Sequence, residues 1–284
     1  MSAFDPRQTP ARADLAAKEL EGKVTAARFI EGRAYEVIEP QTGLRASPAP
    51  DAPLLTEALK GERVTIYETN AEGWAWGQLA ADGYVGFLSA NALMPAGAPA
   101  THKIKALRTF VFPGPSIKLP PLEALPLGAR LSIARVEDGL AVTSSGGFVP
   151  TPHLAPVDFV ERDFVAVAER FLGVPYLWGG KTTLGIDCSA LVQVALTAAG
   201  VACPRDSDMQ ERALGELLPR AGEGPLRRGD LVFWRGHVAI VRDHATLLHA
   251  NAFHMAVAIE PIAEALTRIC GAGSEITSVR RLAR

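Results

Sequence analysis

The chain has 284 residues, 48% of them hydrophobic and 21% charged, with 29 Lys and Arg against 31 Asp and Glu for a net charge of −2. That length predicts two or three domains, the composition is ordinary for a soluble globular protein, and the charge balance gives no support to nucleic-acid binding. No run reaches the roughly 18 apolar residues a membrane helix needs. Cys188, Cys203 and Cys270 cannot form a fully paired framework, and their wide spacing argues against CxxC-type zinc or redox chemistry, so no metal or cofactor is expected and a reducing cytoplasm is the expected compartment.

Residues 1–34 are rich in Ala and Arg and read as an arm, with a short helix near 14–20 and no basic-then-apolar signal pattern at the start. From 35 to 95, short β runs at 35–38, 62–68, 74–79 and 83–88 alternate with turn signals, the rhythm of a small closed barrel. The pattern recurs more loosely over 100–156, with runs at 104–112, 126–134 and 146–150, and reads as a degenerate second copy. Residues 95–99 are the predicted linker between the copies, and the proline-rich 150–156 introduces a last domain, 158–284. There, Val160, Phe164, Val167 and Phe171 recur at helical spacing before Gly173 and Pro175, which predicts an amphipathic helix over 159–172.

An aromatic, glycine-rich loop then leads into Asp187-Cys188-Ser189, followed by good helix formers from Ala190 to Ala199 and a breaker at Gly200. Cys188 is thus predicted at a helix N-terminus, where unsatisfied N–H groups favour thiolate over thiol and make it a nucleophile. Residues 230–242 read as two β runs broken at Gly236, and 246–251 as a third, which would set His237 beside His249 on adjacent antiparallel strands. A cysteine nucleophile needs a base, and the base needs a third group to orient its ring; Cys188, His237 and His249 supply those parts in order. His102, His153, His244 and His254 are read as structural. Gly180-Lys181-Thr182 ends like a phosphate-binding loop, but Pro175 stands where the first glycine belongs, so Lys181 and Thr182 are read as loop surface.

Together, Tyr176-x-Trp-Gly-Gly, Asp-Cys-Ser, Arg205-Asp-Ser, Arg-Gly-Asp-Leu-Val-Phe-Trp with Gly-His-Val, and Leu-His-Ala-Asn resemble the NlpC/p60 family of papain-like cysteine peptidases over about 159–284. Ala190 departs from the glycine many relatives carry. Arg45, Lys60-Gly-Glu-Arg-Val, Gly73-Trp74 and Asp82-Gly-Tyr84-Val-Gly-Phe resemble a bacterial SH3-like domain. The fold class expected is α+β, two SH3-like β barrels ahead of a papain-like domain whose helix packs on an antiparallel sheet. The resemblance implies Cys188 as nucleophile, His237 as base and His249 as the polar third residue, with backbone N–H groups at the helix start and Tyr176 as oxyanion donors.

It further implies cleavage of peptidoglycan stem peptides at the γ-D-glutamyl–diamino acid bond, with no metal required. Relatives carrying SH3-like domains resemble recycling enzymes that require a free N-terminal L-Ala, whose ammonium must meet carboxylates. Asp206 with Ser207, completed by Glu62 and Tyr84 of the first barrel, is the pocket so implied. Arg205-Asp-Ser reads equally as a helix cap. An exported wall hydrolase with wall-binding barrels, and an acyltransferase or binding protein on the same fold, are the other readings.

Overall fold

The computed structural model describes residues 4–218 and 225–283; the first three residues of the arm lie outside them. The chain divides into two compact units at Asp158 and Phe159. In the N-terminal unit, strands β1 (Arg33–Val37), β2 (Gln41–Arg45), β3 (Leu54–Leu59), β4 (Arg63–Thr69), β5 (Trp74–Leu79), β6 (Val85–Ser89) and β7 (Leu93–Pro95) form one sheet. Their order is β3-β2-β6-β5-β4-β1-β7, antiparallel throughout. Tight bending needs the glycines at its centre: Gly77 pairs with Gly86, and a Cβ on Gly77 would stand 2.5 Å from the Thr65 carbonyl oxygen. Pro95, read as linker, closes β7.

The arm is packed, not helical. Ala16–Ala17 pairs with Phe29–Ile30, and Lys18–Leu20 makes only a 3-10 turn. Leu15, Ala17 and Leu20 join Tyr67, Trp76 and Val85 in one apolar cluster, and the Arg12 guanidinium lies 4.4 Å over the Trp76 ring. Burial against the sheet here overrides the helix propensity of the segment. Beyond β7, His102–Ile104 lies between Arg130–Leu131 and Leu154–Pro156, Arg108–Val111 pairs with Glu123–Pro126, and Ile133–Glu137, Leu140–Thr143 and Phe148–Pro150 form a third small sheet. Ile104, Val111, Leu125, Ala141 and Val149 fill their shared core. The strands stay short because prolines at 113, 115, 120 and 121 interrupt any ladder.

The C-terminal unit has helices α1 (Phe164–Glu169), α2 (Cys188–Ala198), α3 (Ser207–Ala213) and α4 (Ile262–Gly271). Strands β8 (Glu216–Leu217), β9 (Leu231–Trp234), β10 (His237–Val241), β11 (Thr246–Asn251), β12 (Ala256–Pro261) and β13 (Ile276–Arg281) make an antiparallel sheet ordered β8-β13-β9-β10-β11-β12. Helix α2 packs on β10 and β11, which gives the α+β arrangement.

Two expectations are corrected here. Helix α1 starts later than its apolar spacing predicts, because the Asp163 carboxylate accepts from the Val165 and Ala166 N–H groups and caps it, leaving Phe159 and Val160 outside and exposed. Lys181 and Thr182 are not loop surface. They form a buried two-residue strand paired with Gly185–Ile186, in a hairpin so close that a Cβ on Gly180 would lie 2.4 Å from the Gly185 carbonyl oxygen.

Candidate active site

Cys188 is the first residue of α2, and the residue before it fixes that start. The Asp187 carboxylate accepts from the Ala190 N–H at 2.8 Å as N-cap, from the Gly179 N–H at 2.8 Å and from the Ser189 hydroxyl at 3.1 Å. Arg205 grips both its oxygens, Nη1 to Oδ1 at 3.0 Å and Nη2 to Oδ2 at 2.6 Å, with an arginine side chain only 1% exposed. Gln210 of α3 donates to the Ser189 and Pro204 carbonyls at 2.8 and 2.9 Å. The aromatic loop, the start of α2 and the start of α3 are thus tied at one buried carboxylate. Arg205 was legible only as part of the Arg-Asp-Ser block, and its role as the lock was missed.

Cys188 is buried, which pushes its thiol up to about 12; Asp187 adds to the rise, while the Val238 and Ser189 N–H groups and Arg205 oppose it. Desolvation of the anion thus opposes the thiolate that the helix-end field favours. The Val238 contact brings the cysteine to the head of β10, where Gly236 at φ +75° turns the chain into His237.

From His237 a line of hydrogen bonds runs to Arg268. His237 Nε2 lies 2.9 Å from His249 Nδ1, His249 Nε2 lies 3.0 Å from Glu260 Oε2, and Arg268 donates to Glu260 through Nε at 3.0 Å and Nη2 at 2.6 Å. Burial pushes His237 down to about 3, with His249 and Arg268 adding to the fall and Glu260 opposing it. His249, 1% exposed, is pushed down by burial to about 4 against the pull of Glu260. Glu260 itself is held below the usual carboxylate range, its burial outweighed by Arg268 and His249. Glu260 and Arg268 were missed in the sequence. The available signal was a glutamate on the strand after His249, on the same face in the observed register, since Leu247 pairs with Glu260 and His249 with Ala258.

Tyr176 donates its backbone N–H to the Met255 carbonyl at 2.9 Å, and its phenol is raised by burial and then by Cys188, close enough to feel the thiol. Asp206 occupies the N-cap position of α3 without a side-chain capping bond, and Ser207 is the buried first residue. Both follow Arg205 directly, beside the α2 start. Glu62 and Tyr84 belong to the N-terminal unit, where the Glu62 carboxylate accepts from the Leu59 N–H at 3.0 Å and Tyr84 is 3% exposed. A cavity of about 820 Å³ bordered by Asp163, Arg228, Asp230 and Arg281 is lined by none of Cys188, His237, His249 and Glu260. Among the described residues no cluster of His, Cys, Asp and Glu is arranged to hold a metal ion.

Residues 173–268 match the NlpC/P60 family, a span that holds Cys188, His237, His249 and Glu260. The C-terminal unit is an NlpC/P60 domain. Residues 44–93 match the bacterial dipeptidyl-peptidase SH3 domain. The chain is similar to dipeptidyl-peptidase 6 of Lysinibacillus sphaericus, 36% identical over 35% of this chain and 37% of that one. It is likewise similar to a γ-D-glutamyl-L-lysine dipeptidyl-peptidase of Bacillus cereus, 30% identical over 49% of this chain and 40% of that one. The matches thus span about two fifths of these relatives. The crystal structure of an NlpC/P60 family protein from Bacillus cereus shares the fold with a TM-score of 0.73, covering 88% of this chain and 100% of that chain at 19% identity.

In the NlpC/P60 domain burial disfavours the charged forms of both Cys188 and His237.

Proposed function

We propose that the protein is a cysteine peptidase acting on peptidoglycan stem peptides. The observation that carries this reading is the cysteine at the capped start of α2, hydrogen-bonded by the backbone of Val238 next to His237, with the His237–His249 pair on the neighbouring strands of an NlpC/P60 domain. The Cys188 sulfur attacks the scissile carbonyl while its proton passes to His237. Backbone N–H groups of the first turn of α2, with the Tyr176 hydroxyl, stabilise the oxyanion. His237 then protonates the leaving amine, and water it activates resolves the thioester.

The finer reading is cleavage between γ-D-glutamate and a diamino acid, in peptides with a free L-Ala amine, within cytoplasmic recycling of wall fragments. The name of the Bacillus cereus relative supports the bond, and the SH3 match of the dipeptidyl-peptidase kind supports a terminal-amine requirement. Asp206 and Ser207 are the groups assigned to the ammonium. A neutral, amide-linked L-Ala gives such a carboxylate nothing to pair with.

Mass spectrometry of L-Ala-γ-D-Glu-diaminopimelate peptides incubated with the full chain tests this. Cleavage after D-Glu, lost in Cys188→Ala and much reduced for N-acetylated peptide or in Asp206→Asn, is the expected result. Preference for intact sacculi would replace it with a wall hydrolase, the class named for a relative from Mycobacterium tuberculosis called peptidoglycan endopeptidase RipB, 30% identical over 49% of this chain. Transfer to an added amine in place of water would make it an acyltransferase.

A further inference from the structure

Behind the two histidines stands a group that the chemistry above does not use. A carboxylate only accepts hydrogen bonds, so Glu260 Oε2 at 3.0 Å from His249 Nε2 requires that nitrogen to carry the proton. Neutral His249 then has a lone pair on Nδ1, which at 2.9 Å requires the proton of His237 on Nε2. Neutral His237 in turn has its lone pair on Nδ1, the nitrogen not engaged with His249. One acceptor at the far end thus dictates which nitrogen serves the thiol. Two neutral imidazoles in contact have no such preference by themselves, because each can donate or accept through either nitrogen.

We propose that Glu260 is a positioning residue that fixes the tautomers of both histidines, making His237 Nδ1 the base, and that Arg268 moderates the negative charge Glu260 presents to the imidazolium formed when Cys188 gives up its proton. Arg268 is built for this. Its guanidinium spans both Glu260 oxygens, shares Oε2 with His249, stacks 4.4 Å over the Phe253 ring and keeps a quarter of its side chain in contact with solvent. Glu260 favours a proton on either histidine and Arg268 disfavours it. The other groups acting on the relay are His254 at His249, and Asp187, Arg205 and Tyr176 at the thiol.

The inference rests on Cys188 and His237 exchanging a proton, as in the proposed function, but its test needs no peptide. Iodoacetamide forms a carbon–sulfur bond with Cys188 and expels iodide once the proton has left for His237, and the rate is read by mass spectrometry on the peptide carrying Cys188. At fixed neutral pH, Glu260→Gln should slow this alkylation about three- to tenfold and Arg268→Gln should speed it about two- to threefold, the scale of up to one pKa unit relayed through a second ring. Opposite signs are the signature of charge tuning. A merely structural fork would slow both variants in step with their loss of thermal stability, and that result, or an unchanged rate in Glu260→Gln, overturns the proposal. Should Glu260→Gln fail to fold, the ¹⁵N spectrum of the histidine-labelled wild type decides: Nε2–H on both His237 and His249 is expected, and Nδ1–H on either rejects the assignment. Failure to cleave stem peptides, with these alkylation signs intact, would reject the proposed substrate and leave the relay standing.

Discussion

Two arginine–carboxylate forks serve the NlpC/P60 site, and the same pair of chemical groups does different work in each. Asp187–Arg205 is sealed, its arginine 1% exposed, and its carboxylate also takes two backbone N–H groups and a hydroxyl. Glu260–Arg268 is sealed only on the carboxylate side, with side-chain exposures of 7% and 27%, and its carboxylate meets an imidazole that ionises. Complete enclosure makes the first fork a rigid joint, because neither charge has water to fall back on. Partial access lets the second hold a graded charge. Burial of the arginine separates a lock from a regulator.

The largest effect that could break this comparison is on stability. Arg205→Met leaves the Asp187 carboxylate buried without its counter-charge and should cost about 3–5 kcal/mol, read as a fall in urea midpoint or Tm. Arg268→Gln should cost about 1–2 kcal/mol, since solvent reaches that side and Glu260 keeps the His249 N–H. Equal losses would mean that the two forks do the same job.

Next in size is the effect on rate. His237→Ala should lower turnover about 10²–10⁴-fold, the usual contribution of a positioned proton acceptor. His249→Gln should retain a measurable part of it, because an amide can still accept from His237 Nε2–H while losing the link to Glu260. Complete loss in both, with intact folds by circular dichroism, would sink the division into base and orienting group.

Acidification separates the two ends of the site more gently. His237 and His249 are held below their ordinary value of 6.5, at about 3 and about 4, so the unfolded chain binds protons that the folded one refuses. Stability from their neutral burial is complete above about 6.5 and is lost as the pH falls toward the folded values, by up to about 1.4 kcal/mol per pH unit for each histidine. Glu260, also depressed, follows in the same direction but only as the pH falls below its ordinary 4.5. Melting curves across this range should be steeper in pH for wild type than for His249→Gln. Parallel curves would remove the histidines as the cause.

How much of this could be read beforehand differs from element to element. The helix start at Cys188 was legible because Asp187 is an N-cap residue ahead of good helix formers, and β10 and β11 because their apolar runs are bounded by turn signals. Strand β3 was not read, since Leu-Leu-Thr-Glu-Ala-Leu consists largely of helix formers and becomes a strand only through its ladder with β2. Glu260 and Arg205 were beyond local pattern for a related reason: each meets its partner through a register or a loop closure that tertiary packing sets. The burial that opposes a Cys188 thiolate was not legible either, because a helix end is visible in sequence and enclosure is not.

The smallest effect comes from a third fork, which supplies the exposed limit of the comparison. Arg228 donates through Nε and Nη2 to Asp163 at 3.1 and 2.9 Å and through Nη1 and Nη2 to Glu169 at 3.1 and 3.2 Å, and Arg242 adds a bond to Glu169 at 2.9 Å. The Arg228 and Asp163 side chains are 39% and 48% exposed, so water replaces whatever a substitution removes. Arg228→Ala should therefore cost only about 0.5–1 kcal/mol, and less in high salt, which screens exposed pairs but barely touches buried ones. Asp163→Ala should cost about 1 kcal/mol more than that, because it also strips the cap from α1. If Arg228→Ala destabilised the protein as much as Arg205→Met, the number of hydrogen bonds in a fork, and not its enclosure, would set its worth, and the distinction drawn between the two catalytic forks would fall with it.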